Sequence, residues 1–321
     1  MLIKRRKGRF GLTFDSPFGR YMGLQFRIIL WVWFSLTVAA VPLAGAYEVV
    51  FSSCRSGNWD LWALDTESKS TRCLTHTDSI DESDPHWFDR GARVVFSDNL
   101  GRIGIHDLLR NRIWVLSLPK GKYVCPVVWP PDGNQLVFGS LVTTPSDDSD
   151  LMTVAFSGKK LSSVSTLVSR AGMETFPDFS PDGKRLAYSF WPVERPRSSF
   201  FGVVEDIWIR DLETGSDRQL TDLNADSYEP AWSPDGSRIA FTSNANGQYD
   251  IWIIDADGLN PVAITQHGAR DSSPCWTPDG KFLIFVSSRT GTMELWMIGL
   301  DGRELTQLTD DGCGIRGPHC K

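Results

Sequence analysis

The side chains best suited to chemistry in this 321-residue chain are five histidines, six cysteines and a recurrent set of carboxylates. The histidines are His76, His86, His106, His267 and His319, too scattered for a catalytic pair on one element. No G-x-S-x-G, H-E-x-x-H, Walker loop or G-x-G-x-x-G occurs, so no nucleophile elbow, zinc helix or phosphate cradle is expected. The cysteines, Cys54, Cys73, Cys125, Cys275, Cys313 and Cys320, make no Cys-x-x-Cys pair, which leaves zinc-knuckle and thioredoxin-type chemistry without support. The carboxylates are more suggestive. Asp81, Glu82, Asp84, Glu174, Asp226, Glu229 and Asp271 fall near corresponding points of an internal repeat. Brought to one face they would form an acidic mouth, able to bind Ca²⁺ through oxygen ligands or a basic peptide by charge complementarity. Solvated acidic loops are the alternative. No catalytic residue is assigned.

A repeat of about 42–53 residues must position these groups. Its first half is clearest in EPAWSPDGSRIAFTS, Glu229 to Ser243, with close copies at Phe176–Phe190 and Ser273–Ser287. A near copy runs from Val127 to Ser140 and a weaker one from Asp84 to Ser97. The second half, DIWIRDLETGSDRQLT at Asp206–Thr221, recurs at Asp60–Thr75, Asp250–Thr265 and Glu294–Thr309. Each unit reads as four short strands. The first ends at an aromatic (Trp87, Trp129, Phe179, Trp232, Trp276). Pro-Asp-Gly then makes a tight turn in which proline presets φ, aspartate bonds its own backbone and glycine supplies positive φ. The aspartates of these turns (Asp132, Asp182, Asp235, Asp279) are therefore turn formers. Trp62, Trp208, Trp252 and Trp296 recur at one strand position and read as core. Such a sheet buries both faces only by stacking on its neighbours around an axis. The first unit, from Tyr47, lacks its first strand, and Gly317-Pro318-His319-Cys320 aligns with Asp84-Pro85-His86-Trp87. The expectation is an all-β, six-bladed β-propeller over residues 47–321, closed by the C-terminal strand joining blade one. His86 and His319 then occupy equivalent inner positions in adjacent blades, as weak candidates for a channel metal, with packing between blades as the alternative. The same alignment sets Cys54 opposite Cys313, where a disulfide would pin the tail, although free thiols remain open.

Residues 1–46 are basic (Lys4, Arg5, Arg6, Lys7, Arg9, Arg20, Arg27), then apolar from Ile28 to Val41, then small at Ala44-Gly45-Ala46. That order predicts a signal peptide, or an uncleaved signal anchor, with translation starting at Met1 or Met22. Its removal leaves 26 basic and 38 acidic residues, a net charge near −12. So acidic a product repels phosphate backbones, which argues against nucleic acid as a ligand. The expected location is the periplasm or the outside of the cell, where cysteines can pair.

The repeats, above all WSPDG…IAF(T/V)S…DIW…LT, resemble the TolB-type propeller family over almost all of Tyr47 to Lys321. The resemblance implies an exported, monomeric module that recognises a protein or peptide in the cell envelope through its loop face and channel mouth. The residues expected there are Asp84, Glu174, Asp226, Glu229 and Asp271, with Trp191, Phe200 and Phe201 on the long loop Trp191–Glu205. The family also includes oligogalacturonate lyases and propellers attached to prolyl-oligopeptidase-like peptidases. A carbohydrate-active enzyme with a channel metal is thus one alternative, and a membrane-anchored sensor domain another. The α/β domain that precedes the propeller of TolB finds no room between Ala46 and Tyr47, which separates this chain from TolB itself. No cofactor is expected beyond possible Ca²⁺.

Overall fold

The computed structural model describes residues 46–119, 121–128, 133–141, 149–157, 160–192 and 204–321, and over these the chain is almost entirely β-strand. A single 3₁₀ turn, Asp89–Gly91, interrupts the strands among the described residues. Four four-stranded antiparallel sheets and one nine-stranded sheet result. In three of the four-stranded sheets the strands lie in chain order, as in Ser227–Trp232, Arg238–Ser243, Asp250–Asp255 and Val262–Ala263. The nine-stranded sheet departs from the expected run of separate four-stranded units. It forms because the long strand Ser149–Ser157 meets Gly172–Phe179 through one parallel bridge, Ser149 to Met173. The first sheet is completed by Ile315–Cys320, which pairs antiparallel with Glu48–Ser53 (Val49 to Cys320, Ser53 to Ile315).

The inner strands touch in a cycle. Glu82–Phe88 contacts Lys122–Val128, which contacts Gly172–Phe179, and the series continues through Ser227–Trp232 and Asp271–Trp276 to Ile315–Cys320. That last strand packs back against Glu82–Phe88. The described part of the chain is therefore a β-propeller.

The second strand of each unit shows what holds it. Arg238–Ser243 is buried at every position after the first, so the alternation in its sequence does not mark a wet and a dry face. Successive side chains enter different seams. Val49 and Phe51 pack with Ile284, Val286 and Leu295 of the preceding sheet, whereas Val50 packs with Trp87, Val94 and Phe96 of the following one. Both faces are apolar because both are covered. Phe241, with no exposed surface, lies in one such seam beside Ile207, Ile209 and Trp232. Phe241→Ala is expected to lower the unfolding free energy by about 3–5 kcal/mol, from lost transfer energy and the cavity left behind. Urea titration checks this; a loss under about 1 kcal/mol would mean the seam collapses onto the gap.

The turns fold as their residue types require. The Asp235 carboxylate accepts Ser233 Oγ at 2.6 Å and the Ser237 amide at 3.0 Å, and Gly236 takes φ +69°. These bonds hold its carboxyl down to about 2. Asp182 and Asp279 repeat the pattern with Ser180 and Thr277. Asp132 and Trp129 lie outside the described residues.

Two disulfides join distant segments. Cys54 pairs with Cys313 (Cα–Cα 5.7 Å), fastening the bend just before Ile315–Cys320 to the end of Glu48–Ser53. Cys275 pairs with Cys320 (Cα–Cα 5.9 Å), linking the last inner strand to its neighbour. Cys73 and Cys125 remain free thiols.

Candidate functional site

Every inner strand carries the same irregularity. Asp84, Cys125, Phe176, Glu229, Ser273 and Gly317 all take left-handed backbone, with φ between 48° and 58°. Each immediately precedes a proline (Pro85, Pro126, Pro177, Pro230, Pro274, Pro318). Each also falls at a register shift against the second strand. The pattern is a bulge: proline has no N–H to give the ladder, and the extra residue turns the chain. A left-handed non-glycine costs about 1–2 kcal/mol, a strain that only Gly317 avoids. Strain repeated at one level of a fold points to a place where the surroundings dictate the backbone.

All six left-handed residues line a central cavity of about 840 Å³. From them it runs along the second halves of the inner strands to the side of the Pro-Asp-Gly turns, reaching Pro181, Pro234 and Pro278. Prolines and the aromatics Trp87, Phe179, Trp232 and Trp276 supply most of the apolar wall. The charged wall is mixed: Asp84, Asp178 and Glu229 face a cavity that also includes Arg90, Arg316 and Lys321.

This differs from the expected acidic mouth. The structure brings Asp84 and Glu229 together on the cavity and leaves Glu174, Asp226 and Asp271 off its wall. The reason is register. The latter three sit where the inner strand begins, inside the sheet stack. Asp271 is fully buried against the Arg289 guanidinium at 2.8 Å. Asp226 accepts the Tyr249 hydroxyl at 2.9 Å and Asn244 Nδ2 at 3.2 Å. Glu174 is fully buried in register with Phe190. Trp191 is half-buried opposite Met173 and also off the cavity wall, while Phe200 and Phe201 lie outside the described residues.

On the cavity, Glu229 accepts the Ser273 amide at 2.7 Å and the Thr242 hydroxyl at 3.0 Å, and burial pushes its carboxyl up. Asp84 accepts Ser97 Oγ at 2.7 Å and Ser83 Oγ at 3.1 Å. Behind them, burial pushes the Glu205 carboxyl up to about 8, aided by Asp226 and Glu229. The Cys125 thiol is pushed well above its ordinary value by burial and by Asp84 and Glu229.

Two residues beyond the left-handed one, side chains stitch blade to blade. Asp178 accepts the Trp232 amide at 2.7 Å, and burial drives its carboxyl up to about 7. His319 Nδ1 accepts the Trp87 amide at 3.2 Å. The Cys275–Cys320 bond makes the same connection covalently. His86 stacks on His319 with ring centroids 3.6 Å apart, and its Nδ1 donates to the Trp87 carbonyl at 2.9 Å. Burial pushes His86 down to about 4, so the ring is neutral at ordinary pH. Among the described residues no third metal-ligating side chain joins this pair closely enough to share an ion. Trp62, Trp208 and Trp296 each carry an arginine over the ring (Arg55 at 4.4 Å, Arg170 at 3.7 Å, Arg289 at 4.8 Å). No row of bare rings is left for a sugar to stack on at these positions.

The proline ring was not foreseen from the sequence. Its signal was present: an X-Pro pair recurs near the end of the first strand in every unit, with the proline two residues before the aromatic in four units, three before Trp129 in CPVVW, and two before Cys320 in the tail.

Comparison with known proteins agrees with this geometry. Residues 198–320 match the family model of the TolB beta propeller domain. Over that stretch the chain is similar to TolB-type propeller repeats. A TolB-like structure from Agrobacterium tumefaciens superposes with a TM-score of 0.68 at 19% identity, covering 85% of this chain and 92% of that one. An oligogalacturonate lyase in complex with manganese superposes with a TM-score of 0.54 at 14% identity, over 81% of this chain and 73% of that one. At such identities the likeness is one of fold. In sequence, an uncharacterized peptidase, YuxL of Bacillus subtilis, is 37% identical over 73 residues, 23% of this chain. The match spans only 11% of that peptidase. No helix among the described residues is long and apolar enough to cross a membrane.

Proposed function

We propose that this TolB-like propeller is an exported binding module that takes an extended segment of a protein partner into its central cavity. The observation that carries the reading is the ring of six left-handed X-Pro bulges around a cavity of about 840 Å³. That volume is in the range of built ligand sites, roughly 300–1,000 Å³. A wall of prolines and aromatics with both signs of charge suits an apolar side chain flanked by backbone and by charged neighbours. The nine-stranded sheet functions as two blades fused by one bridge, so that six blades surround the cavity, one for each bulge. Export is supported by the basic, apolar and small order of residues 1–46 and by the two disulfides, which persist in oxidising compartments. The periplasm or the cell exterior is the proposed location and the monomer the proposed state. No residue constellation at the cavity favours catalysis.

The test is affinity capture from an envelope fraction, followed by titration with synthetic peptides of whatever is retained. Phe176, half-buried on the cavity wall, is the variant of choice. Phe176→Ala is expected to weaken peptide binding about tenfold or more, the loss of one buried aromatic anchor. Nothing retained above a control column, or a peptide bound equally by Phe176→Ala, would sink the reading.

A further inference from the structure

Blade one breaks its own repeat at two positions, placing a thiol at one and an imidazole at the other. Where the fourth strand pairs with the recurrent tryptophan, the other units have Gln219, Ala263 and Gln307; blade one has Cys73. Three residues on, the others have Asp222, Gln266 and Asp310; blade one has His76. Gln219 shows what the ordinary residue does there: its amide donates to the acid that opens the third strand, Asp206, at 3.0 Å. In blade one that acid is Asp60, fully buried, and the amide that would cap it has become a thiol.

The consequence is a cluster. One ligand atom each from Asp60, Cys73 and His76 lie within 4.8 Å of one another. His76 Nδ1 is 4.0 Å from Asp60 Oδ2, and its ring is 80% exposed, free to swing inward. Cys73 is exposed and in no disulfide, its thiol donating to the Thr75 carbonyl at 2.5 Å. Asp60 is oriented from behind by Ser56 Oγ and by the Thr77 amide at 3.1 Å. This is the outer-shell support that ligating carboxylates have in built metal sites. The nearest guanidinium, Arg55, is engaged by Asp311.

We propose that Asp60, Cys73 and His76 form a binding site for a borderline divalent transition metal of the Zn²⁺ class on the rim of blade one. The donor set decides the class. Thiolate plus imidazole plus carboxylate suits Zn²⁺ or Co²⁺, whereas Ca²⁺ and Mg²⁺ take oxygen. Tetrahedral bonds of about 2.0–2.3 Å require the ligand atoms to draw together slightly, which the exposed thiol and imidazole permit. Three protein ligands leave the fourth position to water. None of the three residues lines the cavity, and the site is independent of the proposal made for it.

The probe is Co²⁺ added to the purified, untagged full chain under a non-thiol reductant too mild to open the disulfides. One equivalent is expected to bind with a near-ultraviolet thiolate-to-cobalt band. Cys73→Ser should abolish the band, and His76→Ala and Asp60→Asn should each weaken binding about tenfold or more, on the scale that even outer-shell losses reach. A second measurement needs no variant: Zn²⁺ should slow alkylation of Cys73 at least tenfold, with the other free thiol, half-buried Cys125, as internal control. Co²⁺ that fails to bind, a spectrum unchanged by Cys73→Ser, or alkylation unaffected by Zn²⁺ would each overturn the site.

Discussion

Replacing Cys54 and Cys313 together by alanine is expected to lower the unfolding free energy by about 4–5 kcal/mol, more than any other pair of substitutions considered for this chain. The bridge spans 259 residues. A cross-link restricts the unfolded chain roughly with the logarithm of the loop it closes, so this one removes nearly the largest entropy the chain offers. The second bridge spans 45 residues, and losing it is expected to cost about 1.5 kcal/mol less. The second bridge does not replace the first. With Cys275–Cys320 intact, the stretch from Cys54 to Cys275 is still unconstrained. Urea titrations of the two double variants, without reductant, order the effects. Equal midpoints, or a larger loss at Cys275/Cys320, would show that native strain rather than chain entropy governs the bridges. Hydrogen exchange adds a local readout, since amides of Ile315–Cys320 should lose protection first in Cys54→Ala/Cys313→Ala.

The second large effect lies in pH. Burial raises the Asp178 carboxyl from 3.8 to about 7. The folded state therefore holds a proton that the unfolded state releases near pH 4. That contribution to stability is fully present below pH 4 and is lost as pH rises through about 7. At about 1.4 kcal/mol per pH unit the loss approaches 4 kcal/mol at pH 8. Glu205, raised to about 8, acts in the same direction over a slightly higher window. Asp178→Asn keeps an oxygen to accept the Trp232 amide and removes the titration. It is expected to match the parent within about 1 kcal/mol at pH 4 and to exceed it by about 2–4 kcal/mol at pH 8. A variant less stable than the parent at pH 8 would mean that the backbone N–H groups of Trp232 and Phe179 hold the anion well enough to outweigh burial.

Much of the architecture was legible because repetition supplies its own control. The aligned Pro-Asp-Gly turns fix the hairpins, and the fit of Gly317–Cys320 to Asp84–Trp87 tells where the tail must pair. The alignment that set Cys54 opposite Cys313 used only those registers. It missed Cys275–Cys320, although both residues lie in aligned inner strands, because the bond joins non-equivalent positions, one matching His86 and the other Trp87. The nine-stranded sheet was not legible, since one parallel bridge at Ser149 leaves no mark on residue choice. Acid placement misled for a physical reason. Asp226 and Asp271 look like free loop carboxylates in sequence, yet Tyr249 and Arg289, more than 15 residues away, claim them. The cavity's floor was hidden behind the rule that residues before proline avoid the left-handed region. Five non-glycines break that rule here.

The pairing of Val49 with Cys320 sets an order of events in the cell. A ribosome makes the opening sheet first and its missing strand last, so the nascent molecule waits through its whole synthesis with one raw margin uncovered. Contacts that far apart form slowly, and an unpaired margin invites other chains. Passage through a membrane pore as an unstructured thread, with assembly postponed to the far side, would spare the molecule that exposure.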